Sequence, residues 1–271
     1  MTVRLILEHV SKTFDEGPRH VAAVDDVDLQ IADGEFISIV GPSGCGKTTL
    51  LNMIGGFVMP TTGRVLLDGA PIAGPGSDRG FVFQDYGVFP WLSVRDNIVF
   101  GLKLGANFVA PGERAAIADR YLDVMGLRDF RDAYPKALSG GMKQRVALAR
   151  SYAVRPQFLL MDEPFGALDA QTRYAMQDLL LDLQAREGKT ILFVTHSVEE
   201  ALYLSSRVIA VTARPTRIRR VLEVPFAYPR NDTLRHATEF QALVAELESV
   251  VMSEYAAQQR QTATLAKEGN T

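Results

Sequence analysis

The sequence contains a single cysteine, Cys45, among 271 residues. No disulfide can therefore close within the chain, and a reducing compartment is the expected setting. Charge of one sign is not in excess: 29 Lys and Arg stand against 32 Asp and Glu, a net charge of -3. That balance gives no support for nucleic acid as the main partner. No apolar run approaches the roughly 18 to 20 residues that a bilayer span needs. The opening stretch "MTVRLILEHV" meets Glu8 and His9 too early for a signal peptide. Internal repeats and low-complexity tracts are also missing. The expectation is a soluble, cytoplasmic chain whose 47% hydrophobic content supplies one large core, or a domain with a subdomain.

What is present begins with short strand-like runs, "LILEHV", "AAVDDVDLQI", "GEFISIVG" and "GRVLLDG", punctuated by Gly, Asp and Pro. Between Leu92 and Arg155 the texture turns helical, with Ile117, Tyr121 and Val124 at i, i+4, i+7 and a turn expected at Pro111-Gly112. Apolar runs return at "FLLMDE" and "TILFVTH", with the helical "QTRYAMQDLLLDLQAR" between them. Strand, helix, strand at this spacing predicts a parallel sheet covered by helices. The expected organisation is an α/β core over about 1–86 and 156–228, with an inserted helical subdomain over about 87–155. A short helical tail, 229–271, carries the amphipathic "FQALVAELESVVMSEYAAQQR" and is expected to fray at its end.

"GPSGCGKTT", comprising Gly41, Pro42, Ser43, Gly44, Cys45, Gly46, Lys47, Thr48 and Thr49, fits G-x-x-x-x-G-K-[ST] directly after the strand-like "EFISIV". Such glycines let backbone N–H groups wrap phosphates, and the following helix adds its positive end. Lys47 is then expected to reach the β and γ phosphates of a nucleotide, and the Thr48 hydroxyl to hold Mg²⁺. Cys45 either fills a small-residue position or is a reactive thiol beside a helix start and a lysine. The second reading predicts that maleimide blocks turnover and that nucleotide protects.

"FLLMDEP" puts Asp162 and Glu163 at the end of a buried strand, where ligands bind in such sheets. Asp162 can serve a metal and Glu163 an attacking water, with strand alternation sending the two side chains apart. Read from the residues alone, the two acids could also be simply solvated. His196 in "ILFVTHS" and Gln84 in "FVFQDY" each follow an apolar run, and either is as compatible with an ordinary surface residue. "LSGGMKQRVALAR" is a second helix start with Ser139, Gly140 and Gly141 before it, suited to an anion yet far from the first loop.

These stretches, in this order over about residues 3 to 225, resemble the ATP-binding cassette family, the ATPase subunits of ABC transporters. The resemblance implies a P-loop NTPase (RecA-like) core with an N-terminal antiparallel β region and an inserted α-helical subdomain. It implies head-to-tail pairing of two identical or similar subunits, each lending its Ser139–Gly141 helix start to the γ-phosphate held by its partner's loop. By the same resemblance Glu163 is the general base, His196 the γ-phosphate contact, and Thr48, Gln84 and Asp162 attend Mg²⁺. Asp169 would bridge the two sites, and Phe14 matches the aromatic position that stacks on adenine, unless it is an ordinary core Phe. Met142 departs from the usual Gln of the signature, so any polar contact of that side chain is lost.

"PGSDRGFVFQDYGVFPWLSVRDNIVFGL", "DEPFGALDAQTR" and "ARPTRIRRVLEV" are similar to the importers for taurine, aliphatic sulfonates and nitrate, with Thr216 where the last stretch usually has Gly. The resemblance implies a peripheral ATPase at the cytoplasmic face of the inner membrane, paired with permease subunits and an extracytoplasmic solute-binding protein. "YGVFPW" is aromatic for a loop, so Trp91 either belongs to the permease interface or is buried in the helical subdomain. Because the sequence stops soon after the tail helix, no appended regulatory domain is expected. Stand-alone cassettes of repair or translation remain the alternative, but no long coiled coil and no second phosphate loop is present; a GTPase would need N-K-x-D, which does not occur.

Overall fold

Two fourteen-residue strands, β1 (Val3–Glu16) and β2 (Arg19–Ala32), open the chain. The computed structural model describes the backbone of residues 3–16 and 19–268 and the side chains of 3–15 and 20–260. The fraying expected at the last residues lies outside the described residues. After β2 come β3 (Phe36–Val40), α1 (Lys47–Gly55), β4 (Thr62–Leu67), β5 (Ala70–Pro71) and β6 (Arg79–Val82). Then follow α2 (Val94–Val99), α3 (Pro111–Val124), α4 (Gly140–Ala153), β7 (Phe158–Asp162) and α5 (Ala170–Glu187). The chain closes with β8 (Thr190–Thr195), α6 (Val198–Leu204), β9 (Arg207–Val211), β10 (Ile218–Glu223) and α7 (Thr238–Glu268). Two compact units result: Met1–Pro75 with Leu192–Thr271, and Gly76–Ile191.

In the first unit an antiparallel sheet runs β2-β1-β4-β5, with Val10 opposite Val27 and Leu7 opposite Val65. The strands extend past the runs visible in sequence because the register shifts at bulges, where His9 and Asp26 take φ of 48° each. A bulge inserts an unpaired residue and breaks the alternation by which strands are read, without ending the strand. The other sheet of this unit has the order β10-β9-β3-β8. β9 lies parallel to β3, with Ile39 opposite Ile209, and β10 closes antiparallel on β9. All five residues of β3 are buried, as expected of a strand covered on both faces. Phe240, Val244, Leu247 and Val251 recur at helical spacing on α7, form its buried stripe, and lie on a helix packed against α6 and β9.

In the second unit β6 and β7 pair in parallel, Phe81 opposite Leu160. Helix α4 is buried almost all round, through Gln144, Val146, Ala147, Leu148, Ala149 and Tyr152. Tyr121 of α3 reaches it, its hydroxyl lying 3.1 Å from Tyr152 O and 2.9 Å from Glu187 Oε1, two acceptors that share its one proton. Two expectations need correction here. Pro111 does not mark a turn upstream of α3 but is its first residue, where the missing N–H costs nothing and φ is already set. The buried stripe is Ile117, Ala118, Tyr121 and Leu122, with Val124 only half-buried.

Candidate active site

The first unit contributes the glycine-rich loop. β3 delivers the chain into Gly41, and α1 begins at Lys47, so the loop is a strand-to-helix turn. Gly46 sits at φ 124°, a region closed to side chains, and a Cβ there would also run into Ala23 O and lie 2.6 Å from Thr216 Oγ1. Lys47 is only 4% exposed, and its Nζ donates to Gly41 O and Pro42 O at 2.9 Å each. The ammonium thus folds back onto the loop's own carbonyls. The Thr48 side chain is exposed and Thr49 half-buried.

His196 is exposed in the same unit, immediately after β8. Its neighbours on both sides are fixed. The buried Thr195 hydroxyl donates to Glu200 Oε2 at 2.5 Å and accepts from Ser197 N at 3.1 Å, while Ser197 Oγ caps α6 by accepting from Glu200 N. Arg230 satisfies the far end of that helix by donating to the carbonyls of Leu202, Tyr203 and Ser205. Phe14 lies on β1 opposite Val21, with an exposed ring and Lys12 Nζ 5.1 Å from its centroid. Exposure excludes the reading of Phe14 as an ordinary core residue.

In the second unit Asp162 ends β7 and is buried, whereas Glu163 lies just beyond the strand. Glu163 adopts φ 44°. Glu163 thus lies in the left-handed region just past the strand, outside the regular pleat that Asp162 ends. A non-glycine residue held there is a local cost of the kind that gathers at functional sites. Gln84 is exposed after β6, and the chain then turns through two left-handed residues, Tyr86 at 54° and Gly87 at 59°. Arg150 of α4 holds this turn. Its Nη1 donates to Gly87 O at 2.6 Å, and its guanidinium lies 5.0 Å from the Phe89 ring centroid. Trp91 is 69% exposed and 5.5 Å from Phe89, so burial inside the helical region is excluded.

The second helix start also lies in this unit. Ser139 caps α4, its Oγ accepting from Met142 N at 3.3 Å, so residue 142 contributes through its backbone. A Cβ on Gly140 would be 3.0 Å from the Tyr86 hydroxyl, and one on Gly141 would be 2.5 Å from Thr172 Cγ2. Thr172 N in turn donates to Asp169 Oδ1 at 3.0 Å, capping α5. This bond holds the Asp169 carboxyl below the usual carboxylate range. The Gln84 turn, the Ser139 helix start and the Asp169 cap are thus one packed cluster.

Residues 24–166 match the sequence profile of the ABC transporter family, and they include the glycine loop, the helix start and the acid pair. The chain belongs to the ABC transporter family. It is 50% identical to the taurine import ATP-binding protein TauB of Roseobacter denitrificans over 77% of each chain. It is 46% identical to the nitrate import ATP-binding protein NrtD of Synechococcus elongatus, over 82% of this chain and 81% of that protein. Among solved structures it resembles the dimeric post-hydrolysis state of the ATP-binding cassette MJ0796 bound to ADP and phosphate. There the TM-score is 0.72 at 34% identity, covering 82% of this chain and 100% of that one.

As an ABC ATPase with the P-loop NTPase fold, the chain binds ATP, and its hydrolysis of ATP is coupled to transport. Among the described residues no helix is long and apolar enough to cross a membrane. The cassette also contains supports that sequence reading missed: Arg150, Tyr86 and Thr172 in the second unit, Arg214 and Gln258 in the first. One expectation changes. The Cys45 thiol is completely buried, so a maleimide cannot reach it in the closed loop. Alkylation of the ATPase is now expected to be slow, limited by local opening, with denaturant exposing the thiol at once. Labelling of the folded chain within minutes, measured by intact mass, would contradict this geometry.

Proposed function

We propose that the chain is the ATP-hydrolysing subunit of an importer for a small anionic solute: taurine, an aliphatic sulfonate or nitrate. The similarity to TauB and NrtD supports the solute class. The observation that carries the mechanism is the Ser139–Gly141 helix start, which is capped and leaves no room for a side chain at Gly141. Bare amides at a helix N-terminus suit a phosphate, and this helix start would serve the triphosphate held by a second copy. Two subunits would then bind head to tail, with ATP between them. Loss of the γ-phosphate on hydrolysis would remove that attraction.

Within each site Lys47 and the loop amides of Gly41 to Thr49 would hold the phosphates, and Phe14 would stack on adenine. Lys47, now on Gly41 O and Pro42 O, would exchange those carbonyls for phosphate oxygens. Glu163 would take the proton of the attacking water, and His196 would contact the γ-phosphate. The Thr48 hydroxyl, Gln84 amide oxygen and Asp162 carboxylate are all oxygen donors, the set that suits Mg²⁺, whose chemistry there is to neutralise developing phosphate charge. Asp169, already capping α5 beside Gly141, would link the two sites.

The exposed Trp91, with Phe83 and Phe89 beside it in sequence, would receive the permease on the cytoplasmic face of the membrane; an extracytoplasmic binding protein would deliver solute. The test is co-purification with the detergent-solubilised permease encoded with it. Wild type should be retained, and Trp91→Ala should lose most of that retention while keeping its fold. Retention unchanged in Trp91→Ala refutes the interface, and no association of wild type favours a stand-alone ATPase.

A further inference from the structure

Five consecutive carbonyls of the phosphate loop, residues 41 to 45, each accept a hydrogen bond from a side chain. Lys47 Nζ takes the first two. The next three are held by residues far along the chain. Gln258 Nε2, on α7, donates to Ser43 O at 3.0 Å. Arg214 donates to Gly44 O through Nη2 at 2.9 Å and Nε at 3.3 Å. The Thr216 hydroxyl donates to Cys45 O at 2.7 Å, in a fully buried position.

A trans peptide is planar, with its C=O and the following N–H on opposite sides. Pinning the oxygens of residues 43, 44 and 45 therefore aims the N–H groups of 44, 45 and 46 the other way. Successive amides so aligned form an anion-binding concavity. The Cys45 amide is partly engaged in a long 3.4 Å turn bond to Pro42 O.

The three donors stand on a frame that is itself anchored. Thr216 N donates to Ala23 O and Thr216 O accepts from Asp25 N, while Arg217 pairs with Asp25. Glu254 of α7 accepts from Ala213 N at 3.1 Å, which registers the helix against the 213–217 segment. Among the described side chains the buried apolar stripe of α7 has its last member at Val251, ahead of Gln258, so that stripe rather than Gln258 seats the helix. Thr216 also explains a departure noted in the sequence: the hydroxyl replaces a Gly of similar importers and supplies a bond that Gly cannot.

We propose that Arg214, Thr216 and Gln258 are positioning residues that pre-set the phosphate loop, so that the tail helix α7 tunes affinity for a nucleoside triphosphate. This rests on the reading of the loop as the ATP cradle. A loop already ordered loses less conformational freedom on binding, and that difference appears as affinity.

The test is isothermal titration of the full chain with the magnesium complexes of ADP and of a non-hydrolysable ATP analogue, alongside thermal melting without nucleotide. Gln258→Leu, Arg214→Ala and Thr216→Val should each raise Kd by about three- to tenfold, the range expected for one net hydrogen bond. Thr216→Ser, which keeps the hydroxyl, should restore Kd to within about twofold of wild type. Gln258→Leu, at the periphery, should melt close to wild type while its Kd rises. Lys47→Ala is the control. If Lys47→Ala loses binding but Gln258→Leu and Arg214→Ala bind as wild type, the brace is refuted and the cradle stands. If Lys47→Ala itself binds as wild type, the cradle reading is what fails. Variants that lose melting temperature with unchanged Kd would show a purely structural role and overturn the proposal.

Discussion

Glu163→Gln should bind ATP as wild type does and hydrolyse it at least about a hundredfold more slowly, the lower range for loss of a general base. The amide is nearly isosteric with the carboxylate but cannot accept a proton from water. Glu163 sits at φ 44°, and Gln faces a comparable backbone cost there, so the fold should be unaffected. The Gly166 amide donates to Glu163 O at 3.1 Å, a backbone contact that the substitution leaves in place. Phosphate release from the purified variant, with nucleotide binding measured separately, checks both halves. Turnover above about a tenth of wild type would remove Glu163 from the role of base, since loss of that role costs at least about two orders of magnitude.

Gly141→Ala should reduce turnover about ten- to hundredfold while nucleotide binding by the separate phosphate loop survives. The reason is steric. The added Cβ would lie 2.5 Å from Thr172 Cγ2, well inside contact distance, so the start of α4 or of α5 must shift. Overpacking of this kind costs about 1–3 kcal/mol, and a displacement of about 1 Å at a reacting group can cost about a hundredfold in rate. Thr172 N also carries the Asp169 cap, so the strain reaches two of the proposed site elements together. Adding Thr172→Ser deletes the offending methyl and should recover a measurable part of the activity. Full activity in the single variant would show that the helix start does not approach a phosphate. An inactive double variant would move the cause from crowding to the loss of glycine itself.

The parts of the fold that were legible in the sequence are those where backbone geometry dictates residue type. The phosphate loop announces itself because φ of 124° at residue 46 admits only glycine and because β3 is a short buried run of Phe, Ile and Val broken only by Ser38. The α4 start is equally readable from Ser139 followed by two glycines. The full length of β1 and β2 was not, because the bulges at His9 and Asp26 interrupt alternation inside continuous strands. The left-handed backbone of Glu163 is likewise unmarked, since a glutamate in that conformation looks like any other in the sequence. The supports were hidden for a different reason. Arg150, Arg214 and Gln258 act on backbone carbonyls 63, 170 and 215 positions away, and a carbonyl has no identity in the sequence. Only the tertiary fold pairs a side chain with a distant peptide.

The most direct measurement is the sedimentation mass of Glu163→Gln with and without the magnesium complex of ATP, repeated after adding Ser139→Arg. With ATP the single variant should move from one copy to two, because uncleaved triphosphate keeps the neighbour's helix start attached, and ADP should not substitute. Ser139→Arg should still bind ATP yet stay a single copy, since the bulky side chain occupies the exposed cap of α4. A doubly substituted chain that pairs as readily as the single variant, or a Glu163→Gln chain that remains one copy at saturating ATP, contradicts the sharing of nucleotide between two subunits.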